Sequence, residues 1–330
     1  MQVTKIIMFP KIQPDTTIAL FLLKTFGEEL FLGIRGVEVD FWTKVPEGKD
    51  PKQFEQEGVL LLDMGGGRFD HHNKRDAGSK MALSKIVAQE LGVVDDPAIE
   101  KLLAYAHRDD VEGKGTISKD PLDRAFGLSG LIMSMNRDYP DNPKKVLQAV
   151  WPLIESHYHE EKRRNHELPI EYKKLGDDKK TKEMSVRQGS KKLKVVLLES
   201  DNVAMPGFLR ANKEVQADVV VQKMSSGHVN VVTKQWKKVD LKNLVIVLRV
   251  DEMRRKGVDL KKINWDMIGR PGFLDEAPQW YYDTAATTIQ NGGVCPQNIE
   301  PTSIPWEEFP NLMEIGLDPE KFEQTISKSS

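Results

Sequence analysis

The chain has 330 residues, 39% apolar and 30% charged, a balance that excludes a disordered chain and leaves length for two domains with cores of their own. A formal net charge of -2 removes any global pull toward nucleic acid, and a single cysteine, Cys295, excludes an intrachain disulfide and a cysteine-built metal cluster. The opening MQVTKIIMFPK is too short and wrongly flanked for a signal peptide, and no apolar run reaches the roughly 20 residues that cross a bilayer, so a cytoplasmic protein with no membrane partner is expected.

In chain order, residues 3 to 9 read as a buried strand that the Pro10 to Pro14 stretch breaks. Asp15-Thr16-Thr17 then offers a cap for a helix carrying Ile18, Leu20, Phe21, Leu22 and Leu23. Residues 36 to 42 and 58 to 63 read as second and third strands. Strands alternating with helices predict a parallel sheet, whose functional loops lie at the carboxyl ends of its strands. Past His72 the spacing is helical over 81 to 91, over 98 to 106 running into His107-Arg108-Asp109-Asp110, and over 127 to 135 and 143 to 159.

Between residues 162 and 193 lysines accumulate and apolar residues thin out. A basic arm for nucleic acid is one reading; interleaved Glu167, Glu171, Asp177, Asp178 and Glu183 favour a solvated linker. Strands follow at 193 to 198, 217 to 222 and 228 to 233, the stretch 241 to 253 carries both strand and helix signals, and 280 to 291 reads as a hairpin. The fold class expected is α/β: a parallel-sheet domain with a helical segment over 1–161, a linker over 162–193, and a smaller α+β domain over 194–330.

Chemistry concentrates at residues 58 to 72. An apolar run delivers Asp63, three glycines follow at 65 to 67, and Asp70-His71-His72 comes next. Carboxylates beside imidazoles suit Mn²⁺, Zn²⁺ or Fe²⁺, and the lack of thiolates argues against a structural zinc cage. The glycines offer a backbone that can approach a phosphate or a metal-bound ligand, although the Gly-Lys-Ser/Thr ending of a P-loop is absent. Other polar and aromatic candidates carry less. His157 and His159 point to different helix faces, His107 suits a helix C-terminus, and His166 and His228 lack ligand partners. Gly292-Gly293 reads as a turn. Trp236 and Trp280-Tyr281-Tyr282 can stack on bases, but core or hairpin packing is the commoner use of such residues.

Asp63 after an apolar strand and Asp70-His71-His72 resemble the second and third motifs of the DHH phosphoesterase superfamily, and Pro14-Asp15 before a helix resembles part of the first. The Asp-x-Gly-Gly segment leading into Asp-His-His-Asn73 is most similar to the Myg-type exonuclease branch. The resemblance covers roughly residues 1 to 160, is strong only at 58 to 73, and is weak beyond. It implies two divalent ions, commonly Mn²⁺, with Asp15 and a bridging Asp63 as ligands, His71 on one ion, His72 contacting phosphate and Asp70 orienting it. Asp109 or Asp110 resembles the last metal-binding aspartate, and Arg68, Asn73 and Lys11 are expected on the substrate. The first motif departs from the family's His-x-x-x-Asp-x-Asp, reading Lys11-x-x-x-Asp15-x-Thr17.

The function expected is therefore a metal-dependent phosphoester hydrolase for a nucleotide or short oligonucleotide, with oligomerisation left open. A catalytically silent nucleotide-binding module on the same fold is the alternative that Lys11 and Thr17 sustain. A nucleic-acid scaffold built on the 162 to 193 lysines is a third.

Overall fold

The computed structural model describes residues 1–72, 81–291 and 298–329. The expectations for Asn73, Gly292-Gly293 and Cys295 fall outside them. The chain is mixed α/β and divides into two compact units, Met1–Glu167 and Leu168–Ser330, nearly equal in length rather than large and small.

The first unit is built on a three-stranded parallel sheet of β1 (Lys5–Met8), β2 (Val39–Phe41) and β3 (Val59–Leu62) in the order β2-β1-β3. β1 pairs with β3 from Lys5 opposite Val59 to Met8 opposite Leu62, and its Ile6, Ile7 and Met8 are fully buried, as a central parallel strand covered on both faces requires. Helix α1 (Pro14–Phe26) follows β1, with Pro14 presetting the first turn and every residue from Pro14 to Leu23 buried. Such a helix lies within the core rather than on its surface. Helix α2 (Pro51–Gln56) carries a capping box from Asp50 and leads into β3. Around α1 pack α3 (Leu83–Glu90), α4 (Glu100–Asp110), α6 (Leu128–Asp138) and α7 (Pro143–Lys162), joined in one apolar cluster that includes Phe21, Leu22, Val87, Leu102 and Val150, while the short α5 (Pro121–Phe126) lies exposed beside α6. β1 runs into α1 and on to β2 at one side, whereas β3 lies at the other, so the carboxyl ends of β1 and β3 flank a switch in strand order. Open α/β sheets bind their ligands at such a crevice.

The second unit holds a six-stranded mixed sheet: β4 (Thr181–Gln188), β5 (Lys191–Glu199), β6 (Val219–Lys223), β7 (Val229–Thr233), β8 (Trp280–Asp283) and β9 (Thr288–Asn291), ordered β4-β5-β6-β7-β9-β8. Only β5 and β6 run parallel. The hairpin expected at 280 to 291 is present as β8–β9. The ambiguous 241 to 253 stretch is helix, Lys242–Arg255, and its buried Arg249 donates to the carbonyls of Trp280, Ile268, Arg270 and Gly272, tying helix to hairpin. Trp280 is fully buried against Phe309, so of the aromatic stacking candidates it is core.

The stretch 162 to 193 is not a linker. It carries the end of α7, a π-helical turn, helix Leu168–Asp177 and strand β4, whose Val186 is buried and whose ladder to β5 runs the full strand. Charged side chains on the solvent face of that hairpin, such as the Lys194–Glu183 pair, masked the alternation that marks an edge strand. The unit boundary does fall inside this stretch, at Glu167.

Candidate metal centre

Three segments meet at the carboxyl edge of the parallel sheet: the first turn of α1, the loop after β3 and the end of α4. Asp63 leaves β3 with φ of 60°, a left-handed conformation that, glycine aside, aspartate and asparagine adopt most readily, and its amide donates to the Phe69 carbonyl at 2.8 Å. That bond closes the glycine loop and returns the chain so that Asp70, His71 and His72 lie beside Asp63. Gly65 and Gly66 both have positive φ, which accounts for the glycines as turn residues. The Gly66 amide is spent on Asp70 Oδ2 at 2.7 Å. The loop thus shapes the site from within; the expectation that its backbone reaches a ligand is corrected, for Gly66, by that bond.

His71 is buried and lies between two groups of acids. Its Nε2 stands 3.2 Å from Asp63 Oδ1, and its Nδ1 stands 3.7 Å from Asp110 Oδ2 and 3.9 Å from Asp15 Oδ2. His72 Nδ1 adds a contact of 3.5 Å to the same Asp63 oxygen. Two sets of three ligand atoms result, each set lying within 4.8 Å: Asp63, His71 and His72, and Asp15, His71 and Asp110. Asp63 Oδ1 and His71 Nδ1 are buried yet have no hydrogen-bond partner among the described residues. Orphaned donors and acceptors are costly inside a protein unless something else satisfies them, and this donor set suits a divalent cation.

The surrounding groups are held firmly. Asp15 was expected to cap its own helix; instead the helix begins after Gln13, with Asp15 inside its first turn. Its carboxylate caps α3 from a distance, Oδ2 accepting the Leu83 amide at 2.7 Å and Oδ1 the Ser84 amide at 2.9 Å. Asp70 accepts the His72 amide and faces His72 Nδ1, both at 2.9 Å, and so fixes that ring. Burial raises the pKa of Asp15, with the charge of Asp110 adding to it against hydrogen bonds from Ser84 and Leu83. Burial likewise raises that of Asp63, with Asp15 and Asp110 adding to it and His71 and His72 opposing it. For Asp70, burial is outweighed by hydrogen bonds from Gly66 and His72, and the pKa is lowered.

Of the residues expected from sequence, Asp15, Asp63, Asp70, His71, His72 and Asp110 are brought together. Asp109 is turned toward Gly115, whose added Cβ would lie 2.3 Å from its Oδ1, so Asp110 is the aspartate of the cluster. Arg68, expected on the phosphate, pairs its guanidinium with Glu55 at 3.1 Å and Glu90 at 3.0 Å beside Phe31. Thr17 is fully buried with Oγ1 on the Gln13 carbonyl at 2.8 Å, whereas Thr16 Oγ1, not foreseen, lies 3.5 Å from Asp63 Oδ2. His107 faces Glu112 and His166 pairs with Asp96, both outside the cluster. Ser84 was also missed, since a cap supplied from 69 residues away leaves no local signal.

A cavity of about 520 Å³ adjoins the Asp15 and Asp110 side of the cluster; Lys11, Asp109, Lys114 and Arg124 also line it. Among the described residues no helix is long and apolar enough to cross a membrane.

No family model matches this chain, and no curated protein does. The chain is similar to the solved structure of an uncharacterized protein from Helicobacter pylori G27, at 12% identity over 96% of this chain and 99% of that one. The TM-score is 0.26, a likeness that decides neither fold nor chemistry.

Proposed function

We propose that residues 1 to 167 form a metal-dependent phosphoester hydrolase of the DHH type, acting on a nucleotide or short oligonucleotide, with Mn²⁺ as the ion. The observation that carries this reading is the pair of orphaned, buried atoms, Asp63 Oδ1 and His71 Nδ1, on the two sides of a cluster of acids and imidazoles at the sheet's carboxyl edge. A neutral imidazole has one lone pair, so His71 ligates through one nitrogen and presents N–H on the other. Nε2 is the ligating side. It faces Asp63 Oδ1, which accepts no hydrogen bond, whereas both Asp15 oxygens already accept backbone amides.

Asp63, His71 and His72 would then hold one tight ion, and Nδ1–H of His71 is directed toward Asp110 and Asp15, which at 3.7 and 3.9 Å stand beyond hydrogen-bond distance. His72 Nδ1 is engaged by Asp70 Oδ1 at 2.9 Å, so Nε2 is the nitrogen this ring would offer to an ion or, as the resemblance implies, to phosphate. A bound divalent ion supplies polarisation of a phosphoryl oxygen and activation of water near neutral pH. Asp63, lacking a donor on Oδ1, is the residue whose loss removes the ion with least disturbance to packing.

The test is Mn²⁺-dependent release of product from bis-p-nitrophenyl phosphate and short oligonucleotides by the full chain, beside Asp63→Asn. Activity that requires Mn²⁺ and falls about a hundredfold or more in the variant supports the reading. Mn²⁺ binding without turnover of any phosphoester supports the second reading, a silent binding module. Thr17 favours that one, because its hydroxyl is committed to Gln13 and the position offers no carboxylate.

A further inference from the structure

The six-stranded sheet of the second unit has β4 at one edge, and no proline or bulge blunts that strand. Its ladder to β5 runs unbroken from Thr181 opposite Leu198 to Gln188 opposite Lys191. The Glu199 amide donates to the Lys180 carbonyl, while the Lys194 carbonyl accepts from Asp218 on the β6 side. Hydrogen-bonded pairs alternate along an antiparallel ladder, so Lys182, Met184, Val186 and Gln188 spend their backbone groups on β5. Those of Glu183, Ser185 and Arg187 point away from it, and among the described residues no backbone group answers them. All three residues are exposed.

We propose that this edge is a self-association surface, on which β4 pairs antiparallel with β4 of a second copy about a two-fold axis at Ser185. The surface lies in the second unit and does not depend on the reading of the metal centre. A strand added at an open edge gains affinity from main-chain hydrogen bonds, and its side chains set partner and register. Placing Ser185 opposite the partner's Ser185 sets Glu183 opposite the partner's Arg187 and, by symmetry, Arg187 opposite the partner's Glu183. These are the residues whose backbone groups point outward, so the pairing forms about six hydrogen bonds. Met184 then meets the partner's Val186, both on the face that packs into the apolar core, and Lys182 meets the partner's Gln188, so no like charges oppose. A slip of two residues keeps the hydrogen bonds in phase but breaks both Glu–Arg pairs, and a slip of one puts the outward groups out of phase. Charge therefore selects this register. The Glu183 carboxylate is held in place by Lys194 at 2.8 Å and the Tyr172 hydroxyl at 2.9 Å, whereas Arg187 makes no ion pair among the described residues.

Analytical ultracentrifugation of the full chain from about 1 to about 100 µM tests this, with Glu183→Arg and Arg187→Glu run singly and mixed. Each variant alone turns both cross-edge pairs into like charges, and an equimolar mixture of the two restores opposite charges at both. The expected result is a dimer in the parent, a dimer dissociation constant raised about tenfold or more in each variant, and a mixed dimer close to parental strength. Ser185→Pro removes a donor that faces solvent rather than β5, and should weaken the dimer while leaving the far-ultraviolet circular dichroism unchanged. A parent that stays monomeric throughout overturns the proposal and leaves the edge to a strand of some other chain. A parental dimer that none of the three variants weakens, or single variants that do not recover on mixing, overturns it as well.

Discussion

The Nε2 of His71 stands 3.2 Å from Oδ1 of Asp63, and that oxygen accepts no hydrogen bond among the described residues. Two acceptors held that close, the Nε2 lone pair and a carboxylate oxygen with no donor between them, are a poor arrangement for stability and a good one for a cation. The energetics of the cluster follow from that conflict.

Metal-free protein should show it as a dependence on pH. The pKa values of Asp63 and Asp15 are raised by burial. A raised carboxyl pKa means that the native state keeps protons the unfolded chain has lost, so these two groups make stability fall as pH climbs from the ordinary aspartate range through the native values. Asp70, with its lowered pKa, acts oppositely, and its contribution disappears as pH drops through its native value. In EDTA the melting temperature should therefore fall as pH rises above the ordinary aspartate range, and added Mn²⁺ should restore it. Asp63→Asn should flatten the slope; an unchanged slope in that variant would show that other groups set it.

Asp15→Ala should cost about 2 kcal/mol or more in urea unfolding, because the Leu83 and Ser84 amides lose their acceptor inside the core. Asp15→Asn keeps one acceptor oxygen and should cost less. Equal losses for the two would mean that the negative charge, not the hydrogen bonding, is what α3 requires.

Thr17→Asp supplies the carboxylate that the DHH pattern has at this position, yet no gain in Mn²⁺ affinity is expected. The Thr17 hydroxyl donates to the Gln13 carbonyl in a fully buried place, and an ionised aspartate cannot donate. The variant should unfold at lower urea. Tighter Mn²⁺ binding would instead show that α1 can turn this position toward the cluster.

Much of this was legible in the sequence, and the limits have physical causes. Strands β1 and β3 announced themselves because their runs are almost wholly buried, and Asp63, Asp70, His71 and His72 are close in sequence as well as in space. Asp15 was identifiable as a site residue but misread as a local cap, since its partners at Leu83 and Ser84 lie far along the chain. Strand β4 was hidden because an edge strand with one solvated face reads as a charged linker. Arg68 looked free because the acids that claim it, Glu55 and Glu90, stand on separate helices or their ends.

Arg68→Ala offers a check on that last point. It should leave Mn²⁺-dependent phosphoester turnover within about twofold of the parent and lower stability by less than about 1 kcal/mol, as expected for partly exposed ion pairs. A tenfold rise in KM for the oligonucleotide would return Arg68 to the substrate.

The most direct measurement is the Mn²⁺ stoichiometry and affinity of the purified full chain without phosphate ligands, alongside Asp63→Asn and His71→Ala. One tightly held ion per chain, lost in both variants, is the predicted result, because only one lone pair of His71 is available and Asp63 Oδ1 faces it. No bound ion in the parent, or an ion retained by either variant, would contradict the account.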